Sequence, residues 1–195
     1  MNIELLRQAT AADHSAVEDS VPLMSSDLTL EVYVATLQRI YGIATAWETA
    51  SEQKAPLPMQ AMLFARKRAS RITNDLLFLG SEPYSQLEPL IPDFQSEAEF
   101  LGAMYVMEGS RLGGSYIARH VASVLLLREG FGDTYFRGDP QSTSAMWKEF
   151  LEYLRVRISE NETPKVIQGA KAMFQLYGTW MRDNPAEKNL SSTVS

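Results

Sequence analysis

Apolar residues recur along this chain at intervals of three and four positions over nearly its whole length, and no stretch alternates apolar and polar residues with a period of two. That spacing predicts an all-α fold. A first helix covers about Asn2 to Ser20 and must stop near "SVPLM", because Pro22 has no N–H and clashes with the turn before it. Thr29, with Glu31 in the first turn, caps a second helix whose Tyr33, Leu37, Ile40, Ala44 and Trp47 form one apolar stripe. After "APLP" at 55–58 a third helical region runs from Met59 to about Leu79, closed by Gly80, and "SEPYSQLEPLIP" has the prolines of a connection. A fourth region extends from about Ser96 to Arg128. Beyond the loop "EGFGDTYFRGDP", Met146, Trp147, Phe150, Leu154 and Ile158 make a fifth stripe, and Val166, Ala170, Met173, Phe174, Tyr177 and Trp180 a sixth. The tail from about 185 to 195 is expected to fray. The expected architecture is a single-domain helical bundle over 1–195 without internal repeats.

The fourth region breaks its own pattern. "GAMYVMEGSRLGGSYIARH", residues 102–120, has the apolar content of a buried helix yet carries Gly102, Gly109, Gly113 and Gly114, four of eleven glycines in the chain. Each interior glycine costs a helix about 1 kcal/mol relative to alanine. Gly109 and Gly113 are one turn apart with Gly114 adjacent, so one face of the helix is bare over that turn, and a flat ligand could lie against the backbone there. The run also lets the helix bend. Close helix–helix packing is the other use for such small residues.

Composition narrows the chemistry. With no cysteine there is no disulfide framework, thiolate metal site or thiol nucleophile, which fits a reducing cytoplasm. No window approaches the roughly 18 apolar residues of a membrane span, and the N-terminus is too polar for a signal peptide. A soluble, cytoplasmic protein is expected. A net charge of -6 argues against nucleic acid as a partner.

Two histidines bound any imidazole chemistry. His14 has Glu18 one helical turn after it and Arg7 two turns before, so the three share a face. A neutral imidazole can hold a metal through one ring nitrogen while the other donates to a carboxylate at i+4, and an arginine further along could meet an anionic ligand group. A surface histidine in a charged pair is the plainer alternative. His120, beside Arg119, reads as a half-buried side chain. Without a second ligand set such as H-E-x-x-H, a single endogenous ligand suits a metal already held by something else, and haem, whose porphyrin supplies four nitrogens, is the obvious case.

Together, "LRQATAADHSAVED" and "LGAMYVMEGSRLGGSYIARH" resemble haem oxygenases, particularly the bacterial biliverdin-forming branch often linked to phytochrome, and the resemblance extends over roughly residues 3–180. It implies haem b, as substrate and cofactor, sandwiched between the first helix and a kinked, glycine-rich distal helix. The proximal iron ligand falls on His14 and its companion carboxylate on Glu18. The distal glycines fall on Gly109, Gly113 and Gly114. Arg7, Tyr105 and Lys148 match propionate partners. Mammalian members place an aspartate after the first distal glycine where this chain has Ser110, so protons would pass through waters held by Ser110, backbone groups or Arg111.

The activity implied is oxygen-dependent cleavage of haem to biliverdin, ferrous iron and carbon monoxide, with molecular oxygen as co-substrate and an external electron donor: a reductase, ferredoxin or flavodoxin. A functional link to a bacteriophytochrome is a further implication. The rival readings are a non-catalytic haem carrier or sensor of the same fold, a relative in the wider superfamily such as the thiaminase-like enzymes, whose nucleophilic cysteine is missing here, and a helical interaction domain. Finally, "FARKRASR" concentrates Arg66, Lys67, Arg68 and Arg71. It reads as a solvated helix surface or, with Arg7 and Lys148, as a patch steering an acidic electron donor.

Overall fold

The structure is a computed structural model that describes residues 1–84 and 88–182 of the chain. Every regular element among these residues is helical: α1 (Ile3–Asp19), α2 (Leu30–Lys54), α3 (Leu57–Phe64), α4 (Ala69–Phe78), α5 (Glu97–Gly109), α6 (Gly114–Val124), α7 (Thr134–Arg137), α8 (Pro140–Arg157) and α9 (Thr163–Arg182), with short 3-10 turns at Pro22–Met24 and Glu160–Glu162. The all-α expectation is met. The tail expectation at 185–195 lies outside the described residues.

Several boundaries follow from local chemistry. The Asn2 side chain accepts the N–H groups of Glu4 and Leu5 and so starts α1, and Thr29 accepts from Val32 to start α2. Ser96 caps α5 through Glu99 N–H; Asp139 caps α8, with Pro140 in the first turn. Gly80 adopts φ +76° just beyond α4, a conformation that glycine takes without strain.

The centre of the molecule is the seam between α5 and α9. A Cβ on Gly102 would overlap the Val166 carbonyl oxygen and stand 2.7 Å from the Ala170 nitrogen, and one on Gly169 would overlap the Glu99 carbonyl. Each helix therefore carries a glycine where the other's backbone passes. Leu101, Met104, Val166 and Met173 are fully buried around this seam. α1 lies along the same α9, with Asp13 near Lys171 and His14 against Phe174, while α2 packs on α4 and α6 on α7. Both α1 and α5 pack on α9.

Three expectations need correction. The third helical region is two helices, broken at 65–68, because the Glu48 carboxylate on α2 accepts the N–H groups of Arg68 (2.6 Å) and Ala69 (2.9 Å) and begins a new helix there. The loop 129–140 contains α7, whose first N–H groups, on Thr134 and Tyr135, are accepted by the buried Asp75 carboxylate of α4 at 2.9 and 2.7 Å. The glycine-bearing region is also two helices. Between α5 and α6 the chain tightens into i→i−3 bonds, Arg111 N–H to Glu108 O and Leu112 N–H to Gly109 O.

Candidate active site

On α1, His14 is 56% exposed and its Nδ1 lies 3.3 Å from Glu18 Oε2. With Nδ1 donating to that carboxylate, the lone pair of the neutral ring is on Nε2, the nitrogen a metal would need. The ring is held edge-on by Phe174 of α9, with centroids 5.8 Å apart. Arg7 and Glu18 are both exposed on the same helix. On α5, burial pushes the Tyr105 hydroxyl above its ordinary range, while Arg7 of α1 pulls it down and Glu4 pushes it up.

The four glycines separate by cause. Gly102 belongs to the α9 seam, and Gly114 is bare because a Cβ would overlap the Phe136 carbonyl oxygen of α7. A Cβ on Gly109 would make an ordinary 3.8 Å contact with the Trp147 ring, which in turn lies 5.4 Å from Tyr105. Gly113 differs from all three. Its backbone, at φ -79° and ψ -10°, suits any residue, and a Cβ there would meet nothing within 4 Å. Neither conformation nor a protein neighbour demands glycine at 113. Leu112 and Tyr116 beside it are exposed apolar side chains, Tyr116 at 70%. The surface there is apolar and open.

Ser110 is set in the bend by two hydrogen bonds: its hydroxyl donates to Met107 O (2.9 Å) and accepts from the Arg68 guanidinium (3.2 Å), which also reaches Met107 O (3.3 Å) and lies over the Tyr135 ring. Arg111 does not face outward but pairs with Glu108 at 3.3 Å; desolvation lowers its pKa, the neighbouring Arg68 lowers it further and Glu108 opposes both. Tyr177 on α9 is half-buried, and desolvation drives its hydroxyl far upward, with Tyr135 adding and Arg68 opposing. Arg68 was not among the site residues expected from sequence, because its approach to the bend is long-range. Lys148 is exposed on α8 next to Trp147. His120 donates from Nε2 to the Ser25 carbonyl at 2.9 Å and ties α6 to the turn after α1.

The basic cluster is exposed only in part: Lys67 and Arg71 are at the surface, Arg68 is half-buried and Arg66 is buried. Arg66 has 4% of its side chain exposed and bonds Glu108, Glu149 and the carbonyls of Met62 and Met146. Lys67 is paired with Glu52, and Arg68 is turned to Ser110. Among the described residues no cluster of three or more His, Cys, Asp or Glu could hold a bare metal ion, and no helix is long and apolar enough to cross a membrane.

The family model for heme oxygenase matches residues 2–183. The heme oxygenase PigA of Pseudomonas aeruginosa is 32% identical over 60% of this chain and 59% of its own length, so the matched part is less than two thirds of that relative. A heme oxygenase of Xanthomonas campestris is 33% identical over 58% of this chain and 67% of its own. Among solved structures, the NO- and CO-bound heme oxygenase of Neisseria meningitidis shares the fold with a TM-score of 0.75 at 24% identity, over 92% of this chain and 89% of that one. The heme oxygenase of Leptospira interrogans does so with a TM-score of 0.74 at 22% identity, over 92% and 97%. An all-α bundle with a glycine-bearing break after its fifth helix and a family match over almost the whole chain lead to one conclusion: the chain belongs to the haem oxygenase family.

Proposed function

We propose that this chain opens haem in an oxygen-dependent reaction, giving biliverdin, ferrous iron and carbon monoxide. The observation that supports it most is Gly113, a residue left bare by neither its backbone nor its neighbours, facing the open side of a bend. The residues fit haem: His14, with Nδ1 toward Glu18, presents Nε2; no cluster of three or more His, Cys, Asp or Glu occurs among the described residues; and Arg7 and Tyr105 are a cationic and a phenolic candidate for the ligand's carboxylates. When bound, haem supplies the iron that activates oxygen and the macrocycle that is cut.

The side chains divide the remaining work. Glu18 retains the Nδ1 proton of His14, fixing the tautomer and the orientation of the ring, and Phe174 limits its rotation. Arg7 and Tyr105 bind the carboxylates of the ligand and so set its rotation. Exposed Lys148 is a third candidate for those carboxylates. Gly109 and Gly113 let the backbone approach the ligand face and exclude a side chain from the space where oxygen must reach the ring edge. Ser110, oriented by Arg68 and Met107 O, holds water for proton delivery; Arg111 acts through Glu108, which keeps the bend in shape. Electrons come from outside, from a reductase, ferredoxin or flavodoxin, and a bacteriophytochrome would be a downstream user of the product. The cytoplasm is the compartment this reading favours.

The test is direct. Hemin added to the purified protein should give a saturable Soret band, and reductant with oxygen should then yield bile pigment. His14→Ala should weaken hemin binding and abolish turnover, with recovery on adding imidazole, whereas His120→Ala should keep both. A Soret band without pigment would indicate a carrier or sensor; loss in His120→Ala alone would move the ligand to the other histidine.

A further inference from the structure

Three arginines converge on a cavity of about 20 Å³, where the start of α4, the turn between α5 and α6, the end of α7 and the first turn of α8 meet. Arg68, Arg71 and Arg111 line it together with Ser110 and Thr143, and among the described residues no acidic residue does. Gly138, which also lines it, locates two of the polar atoms: a Cβ placed there would lie 3.7 Å from Thr143 Oγ1 and 3.9 Å from Arg71 Nη1. A hydroxyl and a guanidinium thus approach the same point.

The counter-charge is missing. Neither the Arg68 nor the Arg71 guanidinium pairs with a carboxylate among the described residues: Arg68 contacts Met107 O, the Ser110 hydroxyl and the Tyr135 ring, and Arg71 makes no side-chain hydrogen bond. Nor does the Thr143 hydroxyl. Arg111 has Glu108 at 3.3 Å, but the other oxygen of that carboxylate is taken by Arg66 at 3.0 Å, so one negative charge serves two arginines. Asp139 is occupied as the cap of α8; its pKa is lowered chiefly by the Ser142 side chain and the Gln141 N–H, and Arg71 is the last contributor. The crowding of cations is felt at Arg111, whose pKa is lowered first by desolvation and then by Arg68.

We infer that this cavity is a binding site for a halide-sized anion such as chloride, held by the Arg71 and Arg111 guanidinium groups and the Thr143 hydroxyl, with Arg68 beside them. Water there would meet the N–H and O–H donors but leave the positive charge uncompensated. Size sets the rest. A volume of about 20 Å³ is room for about one water-sized particle, so phosphate or sulfate could place only a single oxygen inside, whereas a halide fits whole. The anion completes the charge balance at the residues that fix Ser110, and because it binds the folded chain its presence is read as stability. The site is independent of the proposed haem function, and haem-free protein tests it.

Melting that protein in sodium chloride and in sodium gluconate, at the same ionic strength of about 0.15 M, separates binding from screening. Chloride should raise the melting temperature by at least about 2 °C over gluconate, with half of the effect reached below about 0.1 M chloride at constant ionic strength. Bromide should replace chloride. Arg71→Gln and Thr143→Val each remove a group that makes no hydrogen bond within the chain, so both should fold, and in gluconate Arg71→Gln should melt no lower than the parent. The chloride midpoint should rise at least about tenfold in Arg71→Gln and about threefold in Thr143→Val. Crystals soaked in bromide should show an anomalous peak between Arg71, Arg111 and Thr143 in the parent and none there in Arg71→Gln. Equal melting temperatures in chloride and gluconate, or a chloride effect that both variants keep, overturn the site. So does a bromide peak without any chloride effect, which would mark an adventitious ion only. Arg71→Gln melting equally far below the parent in both salts would make Arg71 a structural support and overturn its role as a ligand.

Discussion

Gly102 and Gly113 lie on the same stretch of chain, and each looks like a weakness in a helix. Gly102 is bare because the α9 backbone occupies the space its side chain would fill, and Gly169 is bare for the reciprocal reason. Gly113 is bare with nothing in the protein to account for it. The first glycine is explained by packing, and the second is the one we propose leaves room for a ligand. Sequence spacing treats them alike. Only the neighbours separate them.

The comparison can be broken most forcefully at the seam. Gly102→Ala or Gly169→Ala places a methyl group where a backbone atom already sits, so the helices must part. Overpacking of this kind costs roughly 1–3 kcal/mol and sometimes more. For a chain of this size each kcal/mol moves the melting temperature by about 2–4 °C. We expect either variant to melt at least about 5 °C lower, with activity per folded molecule little changed. Thermal denaturation followed by circular dichroism decides; an unchanged melting temperature would mean that the seam is looser than described.

Gly113→Leu should show the opposite behaviour. Its backbone accommodates leucine, nothing blocks the side chain, and an α-like turn loses less entropy without glycine, so the haem-free protein should be as stable as the parent. Haem turnover should fall by about 100-fold, a barrier increase of ~2.7 kcal/mol. Single-turnover assays on hemin-loaded protein test this. Normal turnover in a folded variant would leave Gly113 without a function.

The contrast also shows what can be read from the chain alone. The caps supplied by Asn2, Thr29 and Ser96 are adjacent to the helices they start, and the apolar stripes predicted α1, α2, α8 and α9 closely. The α3–α4 break and α7 escaped because their caps, Glu48 and Asp75, come from other helices, a relation that no local window contains. At the site, His14, Glu18 and Arg7 could be grouped because one helix face carries all three. Arg68 could not, since its partner Ser110 is far along the chain, and it was grouped instead with sequence neighbours whose side chains turn elsewhere. The reading of Gly114 as part of the open face failed for the same reason: Phe136 fills that space from α7.

Arg68 allows a finer cut within the bend. Arg68→Met retains much of the aliphatic contact but removes the donor to Ser110 and Met107 O. We expect turnover to fall about tenfold, the ~1.4 kcal/mol that a charge-assisted hydrogen bond can contribute, with hemin affinity within about twofold. Because the effect is placed on proton delivery, the solvent isotope effect on turnover should rise; an unchanged isotope effect with reduced hemin affinity would make Arg68 a structural support only. Arg68→Lys should restore part of the rate.

The smallest expected effect is at α7, the element that makes Gly114 necessary. Asp75 holds this helix by accepting from Thr134 and Tyr135, yet its carboxyl pKa is raised, since desolvation outweighs those hydrogen bonds and Asp133 adds to it. A carboxyl whose pKa is higher in the folded than in the unfolded state binds its proton more readily when folded. Its contribution to stability is therefore fully present below the unfolded value of 3.8 and is lost as pH rises through the folded value. Asp75→Asn removes this titration; it keeps one acceptor oxygen, so one of the two N–H groups, which bond Oδ1 and Oδ2 separately, loses its partner at every pH and only the pH dependence is compared. Measured by urea denaturation, the stability of the parent relative to Asp75→Asn should increase as pH is lowered from neutrality toward the unfolded pKa. A relative decrease over that interval would show that the N–H groups of Thr134 and Tyr135 stabilise the charged carboxylate more than burial opposes it, and α7 would then be held by a charge rather than in spite of one.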